Sequence, residues 1–517
     1  MLHRLLRPLG RSWLWLGALC LGMASQAQAP LRLPALGDGA EWSLGEERTL
    51  GDSIMTQVWR DPDVIDDPVL MQYVQSLWAP ILKAARARGE LSGELDQRLA
   101  WEMVLVRDRS VNAFALPGGY MGVHLGLIAV ASNRDELAAV LAHETSHITQ
   151  RHIARMLAQQ NRNAPLMMGA LLLGVLVAGR SPDAASALMI GGQAATLQNQ
   201  LSFSRDMERE ADRVGFGLMA PAGFHSHGAI TLFDKLIQAS RLNDSGAYPY
   251  LRSHPMSTER MADMAGRAQQ LNPTDKPSDP DALHALMAAR AKALTETQVD
   301  AQRRLMMNAK EQLAQGGTQP PSWAAWYAGV LAHARAREFD AAETLLSALR
   351  RSTQDQPALK DVVLGLAAEL RLQQGQPDAA LQELAQVSAA SAQARPQVMR
   401  RAQAQLATGR PELIRQTAWA MDVWLGKHPS DAMAWGLSAQ AQMAMGERLR
   451  GLRAEAESRA VQFDLTAAID RLQAAQELAR EMARTSGLSR AQEYDSAIID
   501  TRLRQLRQSR REQTLQR

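Results

Sequence analysis

The stretch Leu137-Ala-Ala-Val-Leu-Ala-His143-Glu144-Thr-Ser-His147-Ile-Thr-Gln-Arg-His152 decides how the rest of the chain is read. Leu137, Val140, Leu141 and Ile148 recur at helical spacing, which predicts a helix. Side chains four apart on a helix share a face, so His143 and His147 can offer imidazoles to one metal ion from successive turns. Glu144 is displaced by about 100° around the axis and can reach a water on that ion rather than the ion itself. Two imidazoles and one such carboxylate are the His-Glu-x-x-His pattern of zinc peptidases. With only 11 histidines in the chain, the pattern arises by chance on the order of once in a hundred chains, so its context must decide.

That context is a third ligand and groups that orient the histidines. A histidine at 153, as one variant of the motif would need, is absent: the residue is Ile153. The segment Ser204-Arg-Asp-Met-Glu208-Arg-Glu210-Ala-Asp212-Arg-Val-Gly-Phe reads as a later helix with Glu208 and Asp212 on one face. Glu208 can close the metal shell, leaving one position for water. Asp212 can accept the second N–H of a ligand histidine and fix its tautomer. The candidate catalytic residues are therefore Glu144 and, through that histidine, Asp212. Glu210 points to another face and is expected to be solvated. Without the metal motif, Glu208 and Asp212 would read as an ordinary charged helix face.

Several further motifs stand in a fixed order around these: Asp66-Asp-Pro, Asn112-Ala-Phe-Ala-Leu-Pro-Gly-Gly119, Gln150-Arg-His152, Glu208-x-Glu-Ala-Asp212, and Ser253-His254-Pro255 with Arg260. From about Leu44 to Arg260 the chain resembles the HtpX/CAAX-prenyl-type zinc metallopeptidases. It is most similar to the periplasmic members that assist β-barrel assembly and carry tetratricopeptide repeats. The resemblance implies a zincin-like domain binding one Zn²⁺. It implies endoproteolysis in outer-membrane quality control, with unfolded or stalled barrel proteins as clients and the barrel-assembly machinery as the partner of the repeats. It also implies that the strand after the paired glycines borders the cleft, with Asn112, Gly118, Gly119 and Met121 at the edge that pairs with extended substrate; a plain structural hairpin is the alternative. His254 is implied as a fourth zinc ligand that blocks the water site, against a transition-state role or an ordinary loop position. Arg260 is either an oxyanion partner or a loop brace.

Length and charge frame this reading. The 517 residues suffice for two or more domains, and no basic block interleaved with aromatics argues for nucleic acid. Residues 1–27 read as a signal peptide: Arg4, Arg7 and Arg11 precede an apolar run, Trp13 to Met23, too short to span a bilayer comfortably, and cleavage fits after Ala27; an uncleaved anchor is the alternative. The cleaved chain would carry 54 basic and 54 acidic side chains and no cysteine, since Cys20 lies in the signal. That suits an exported periplasmic protein held by its core rather than by disulfides.

The remainder is mostly helical with a small β-sheet. Helices are expected from Leu44, strands at 101–106 and 120–125, and a turn over 112–119. His124, alone on a strand, is expected to be structural. The uncharged stretch 163–179 reads as a buried hairpin, a lid, or a patch touching membrane or unfolded substrate. The expected domains are the peptidase, 44–270, a proline-containing linker near 272–280, and a helical solenoid, 281–500. In the last, turn-plus-alanine sites recur at Arg337–Ala342, Gly375–Ala380 and Gly409–Ile414. Their 38- and 34-residue spacings lie near the tetratricopeptide period, and His428, Trp435 and Gly446 suggest a fourth, degenerate unit. An unrelated helical bundle is the alternative. A chain with these parts could also work mainly as a latent chaperone or adaptor. An integral-membrane protease is a weaker rival, because no span is convincing.

Overall fold

The structure is a computed structural model and describes residues 42–159, 204–242, 248–271, 281–317 and 319–515. The expected signal peptide, the uncharged stretch 163–179 and the linker lie outside the described residues. From Trp42 onward the chain forms one compact unit. The fold is mainly helical with one four-stranded sheet.

In chain order the strands are β1, Val64–Ile65; β2, Glu102–Val106; β3, Ala113–Leu116; and β4, Tyr120–His124. Their spatial order is β1-β2-β4-β3. The segment 112–119 is therefore not all turn. Its middle four residues form an edge strand, and only Pro117, Gly118 and Gly119 make the tight connection to β4. Gly118 and Gly119 take φ of 79° and 85°, the left-handed region. A Cβ on Gly119 would stand 2.7 Å from that of Leu99.

The topology corrects the expected substrate edge. β4 is an inner strand, parallel to β2 and antiparallel to β3. Met121 lies between Met103 and Ala115, so its strand has no open side. The outer strands are β1 and β3, and β3 is the one beside the motif helix.

The motif helix, Arg134–Thr149, starts at Asn133, whose side chain accepts from the Glu136 N–H. Every residue from Asp135 to Thr149 is buried. The helix is enclosed by Pro68–Ala87, Arg205–Met219 and His227–Leu242 and flanked by β3. Gly215 permits a close crossing by Arg205–Met219: a Cβ there would meet the Ala142 carbonyl and the His143 nitrogen at 3.0 Å.

Beyond residue 281 the described chain is helical between short turns. Proline occupies the first turn of Pro320–Arg335, Pro357–Gln373, Pro377–Ala385 and Pro411–Leu425, where its missing N–H costs nothing. The apolar core does not stop at residue 281. One continuous cluster runs from Val69 through Leu286 and Tyr327 to Leu370. Charged groups cross the same seam. Asp67 caps Pro68–Ala87 through the Leu70 N–H and also receives Arg290, from Nε at 2.9 Å and Nη2 at 2.7 Å. Arg290 and Arg400 both donate to Glu369. Arg395 clamps Asp66 and Asp431. Further along, Phe463 sets its ring edge-on to Tyr120 of β4 at 6.3 Å.

Candidate active site

The motif helix and Arg205–Met219 bring three ligand-bearing residues together with a fourth from beyond a later short helix. His143, His147, Glu208 and His254 are all buried, and one ligand atom from each lies within 4.8 Å of every other. His143 Nε2 and His147 Nε2 are 3.0 Å apart. The Glu208 oxygens lie 3.6 Å and 3.5 Å from these nitrogens. His254 follows the short helix Pro249–Ser253, and its Nδ1 lies 2.9 Å from Glu208 Oε1 and 3.3 Å from His143 Nε2. Atoms held tetrahedrally by a zinc ion at about 2.0–2.2 Å are about 3.3–3.6 Å apart; the 3.3, 3.5 and 3.6 Å separations match this, and those of 3.0 and 2.9 Å need only small side-chain shifts for the set to hold one such ion.

The protonation pattern fits as well. His143 Nδ1 sits 3.0 Å from Asp212 Oδ1, which places its proton there and turns the Nε2 lone pair toward the cluster. Burial alone would push His143 down, but Asp212 and Glu208 outweigh it and raise it to about 10. The carboxylates thus create a strong demand for positive charge at this point. His147 is pushed well below its usual value by burial and by His143, which keeps a neutral imidazole ready to ligate. Glu208 stays well below the usual carboxylate range: His254 and His143 overcome its burial.

Glu144 stands beside the cluster. Its Oε2 accepts the Ala115 N–H of the edge strand at 2.9 Å. Its Oε1 has no hydrogen-bond partner and lies 3.4 Å from His254 Nε2. Burial raises the Glu144 carboxyl, and Glu208 adds to the rise, which suits a proton acceptor. Two edges of His254 therefore face the cluster and the base at once.

Asp212 touches His143 and Arg260. Arg260 donates to Asp212 from Nε at 2.6 Å and Nη2 at 2.7 Å, and from Nη1 to the Pro255 carbonyl at 2.8 Å. Its guanidinium thus ties the His254 loop to Arg205–Met219. Glu210 departs from expectation. It is partly exposed, and it also accepts from His152 Nε2 at 3.1 Å and Arg155 Nη1 at 2.8 Å. Those partners are more than fifty residues away, so no local pattern announces them. His124 stays outside the cluster, against Ser110 Oγ at 3.0 Å. Of the expected edge residues, Asn112 precedes β3 and its carbonyl accepts the His124 N–H, while Gly118 and Gly119 form the turn. The missed edge residue is Ala115. Its N–H points away from β4, so the outward backbone groups of this strand are those of Ala113 and Ala115.

Comparison with known proteins agrees with this geometry. Residues 75–268 match peptidase family M48. The chain is 30% identical over 498 residues, 95% of each chain, to the beta-barrel assembly-enhancing protease of Escherichia coli O157:H7. It is 30% identical over 479 residues to the same-named protease of Yersinia pestis, covering 89% of this chain and 90% of that one. A shorter match, 31% over 230 residues and 44% of this chain against 42% of the relative, is to the mitochondrial metalloendopeptidase OMA1 of Arabidopsis thaliana.

Proposed function

This chain belongs to the beta-barrel assembly-enhancing protease family and is a metalloprotease, and from that premise we propose that it is a zinc-dependent endopeptidase of the periplasm acting on unfolded or stalled outer-membrane barrel proteins. One observation carries the chemistry: lone pairs of His143, His147 and Glu208 converge on one buried point beside an unpartnered Glu144 oxygen. A zinc ion held there would polarise the scissile carbonyl and acidify a water. Glu144 takes the proton of the attacking water on Oε1 and returns it to the leaving nitrogen. Asp212 holds His143 in the required tautomer, and Arg260 braces Asp212. The outward backbone groups of Ala113 and the Ala115 carbonyl are offered to an extended client, while the Ala115 N–H is held by Glu144, a grip that asks for little sequence specificity.

His254 gives this enzyme a resting state. With its Nδ1 beside Glu208 and His143 and its Nε2 3.4 Å from Glu144 Oε1, it stands where it would take the place of a water on a metal ion held there. Activity then requires the Tyr248–Pro255 loop to withdraw. This closed arrangement also favours the second reading, in which the folded chain spends most of its time as a chaperone or adaptor. Helix pairs after residue 281 serve as tetratricopeptide-type repeats that dock on the barrel-assembly machinery, and residues 1–27 direct export. The support is the repeat spacing, the helix-turn pattern and the similarity to proteases of that name. No helix among the described residues is long and apolar enough to cross a membrane.

The test is cleavage of an unfolded model protein by purified chain, beside Glu144→Gln, with zinc assayed on both. Cleavage by the parent and none by zinc-loaded Glu144→Gln supports the reading. Equal cleavage by both would refute it.

A further inference from the structure

The two histidines of the motif are held from behind in different ways. His143 gives its Nδ1 proton to a carboxylate directly, at Asp212. Behind His147 stands another imidazole: His147 Nδ1 and His152 Nδ1 are 2.9 Å apart. His152 is wholly buried, and its Nε2 lies 3.1 Å from Glu210 Oε2. Arg155 closes the line by donating to the same Glu210 oxygen at 2.8 Å.

Only one proton arrangement satisfies this line when His147 Nε2 ligates a metal. The His147 proton must then sit on Nδ1. Two imidazole nitrogens at 2.9 Å share a single proton, so His152 Nδ1 is the acceptor. His152 therefore carries its own proton on Nε2 and donates it to Glu210. Each hydrogen bond fixes the tautomer of the next ring, and the Glu210 charge reaches His147 through His152.

The backbone is built to make this contact. On an unbroken helix, residues five apart are rotated by about 140° and do not face one another. Here the motif helix ends at Thr149, and Arg151 takes φ of 53°, left-handed for a residue with a side chain. The next helix starts at His152 and turns it back onto His147. The Arg151 Nε donates to Glu47 at 3.0 Å, anchoring the strained residue. Strain of this kind, on the order of 1–3 kcal/mol, persists where the surroundings over-determine it, and functional sites are where it clusters.

We propose that His152 and Glu210 are positioning residues that hold His147 in its metal-binding tautomer and orientation, a carboxylate–imidazole relay matching the direct Asp212 contact on His143. The proposal rests on the metal-site reading above.

The experiment is chelator-competition measurement of zinc affinity on the full chain, with thermal melting of the zinc-free protein as a control on folding. Four proteins are compared: the parent, His152→Phe, His152→Asn and Glu210→Gln. Phenylalanine keeps the volume and removes the acceptor, so His152→Phe should bind zinc about 10–100-fold more weakly. Asparagine restores an acceptor near the Nδ1 position, so His152→Asn should recover to within about threefold to fivefold of the parent. Glu210→Gln should lose about threefold to tenfold, with melting of the zinc-free chain unchanged. Parent-like affinity in His152→Phe, or equal losses in His152→Phe and His152→Asn, overturns the relay. If His152→Phe does not fold, parent-like affinity in Glu210→Gln overturns it. A parent that binds no zinc brings down the metal-site reading and the relay together, whereas a zinc-binding parent with unaffected variants brings down the relay alone.

Discussion

Two regions of this molecule bury charge, and they differ in how the charge is balanced. At the seam between the sheet-bearing half and the later helices, the charges answer one another. Asp67 and Glu369 receive Arg290, Glu369 also receives Arg400, and Asp66 and Asp431 share Arg395. In the candidate active site Arg260 answers Asp212 and Glu208 from one side, but the ligand atoms of His143, His147, Glu208 and His254 still face one another, and a Glu144 oxygen has no hydrogen bond. Buried charge thus means opposite things in the two places. A balanced cluster locks two parts of a fold together, and an unbalanced one is a receptor for something the chain does not itself provide.

Substitutions can break or sharpen this contrast. The largest effect is expected at Glu144. Replacement by Gln should cut cleavage of an unfolded substrate on the order of 10²–10⁴-fold while zinc content and melting temperature hold, as a proton acceptor loses its charge but not its shape. At the seam the effect should fall on stability instead. Arg290→Ala leaves Asp67 without its buried partner and Glu369 with Arg400 alone, and should cost on the order of 3–5 kcal/mol in denaturant unfolding. Little loss there would mean that the seam is not closed by charge balance.

A smaller effect is expected at His254. If the closed shell is the resting state about nine-tenths of the time, His254→Ala should raise cleavage about tenfold. A fall would assign His254 to the reaction itself. The smallest effect concerns acid. Burial pushes Glu369 up, but Arg290 and Arg400 outweigh it and bring its carboxyl down to about 2, from 4.5. A carboxyl lowered in the folded state binds its proton more readily when unfolded. Its contribution to stability is therefore complete above pH 4.5 and drains away as pH falls toward 2. Glu369→Gln should flatten that limb of the stability profile, read by urea midpoints across this window.

How much of this was legible in the sequence depends on how local each signal is. The motif helix and the pairing of Glu208 with Asp212 follow from four-residue spacings, and both stand where those spacings put them. Strand β3 did not show: Ala113-Phe-Ala-Leu116 is short, lacks alternation of polar and apolar residues, and lies between Asn112 and two glycines, which read as a turn. Its pairing with β4 then moved the open edge from Met121 to Ala115. Glu210 looked solvated because its partners, His152 and Arg155, come from the far side of the chain. Arg290 and Arg395 carry no local signature either. Each became visible only when a helix after residue 281 packed against Asp66-Asp67.

The central claim, that the unbalanced cluster is a metal site closed by His254, is tested most directly by anomalous diffraction at the zinc edge on crystals of the full chain. One strong peak is expected between His143 Nε2, His147 Nε2 and Glu208, with His254 Nδ1 as the fourth neighbour. A peak elsewhere, or none in protein shown to cleave its substrate, would contradict it.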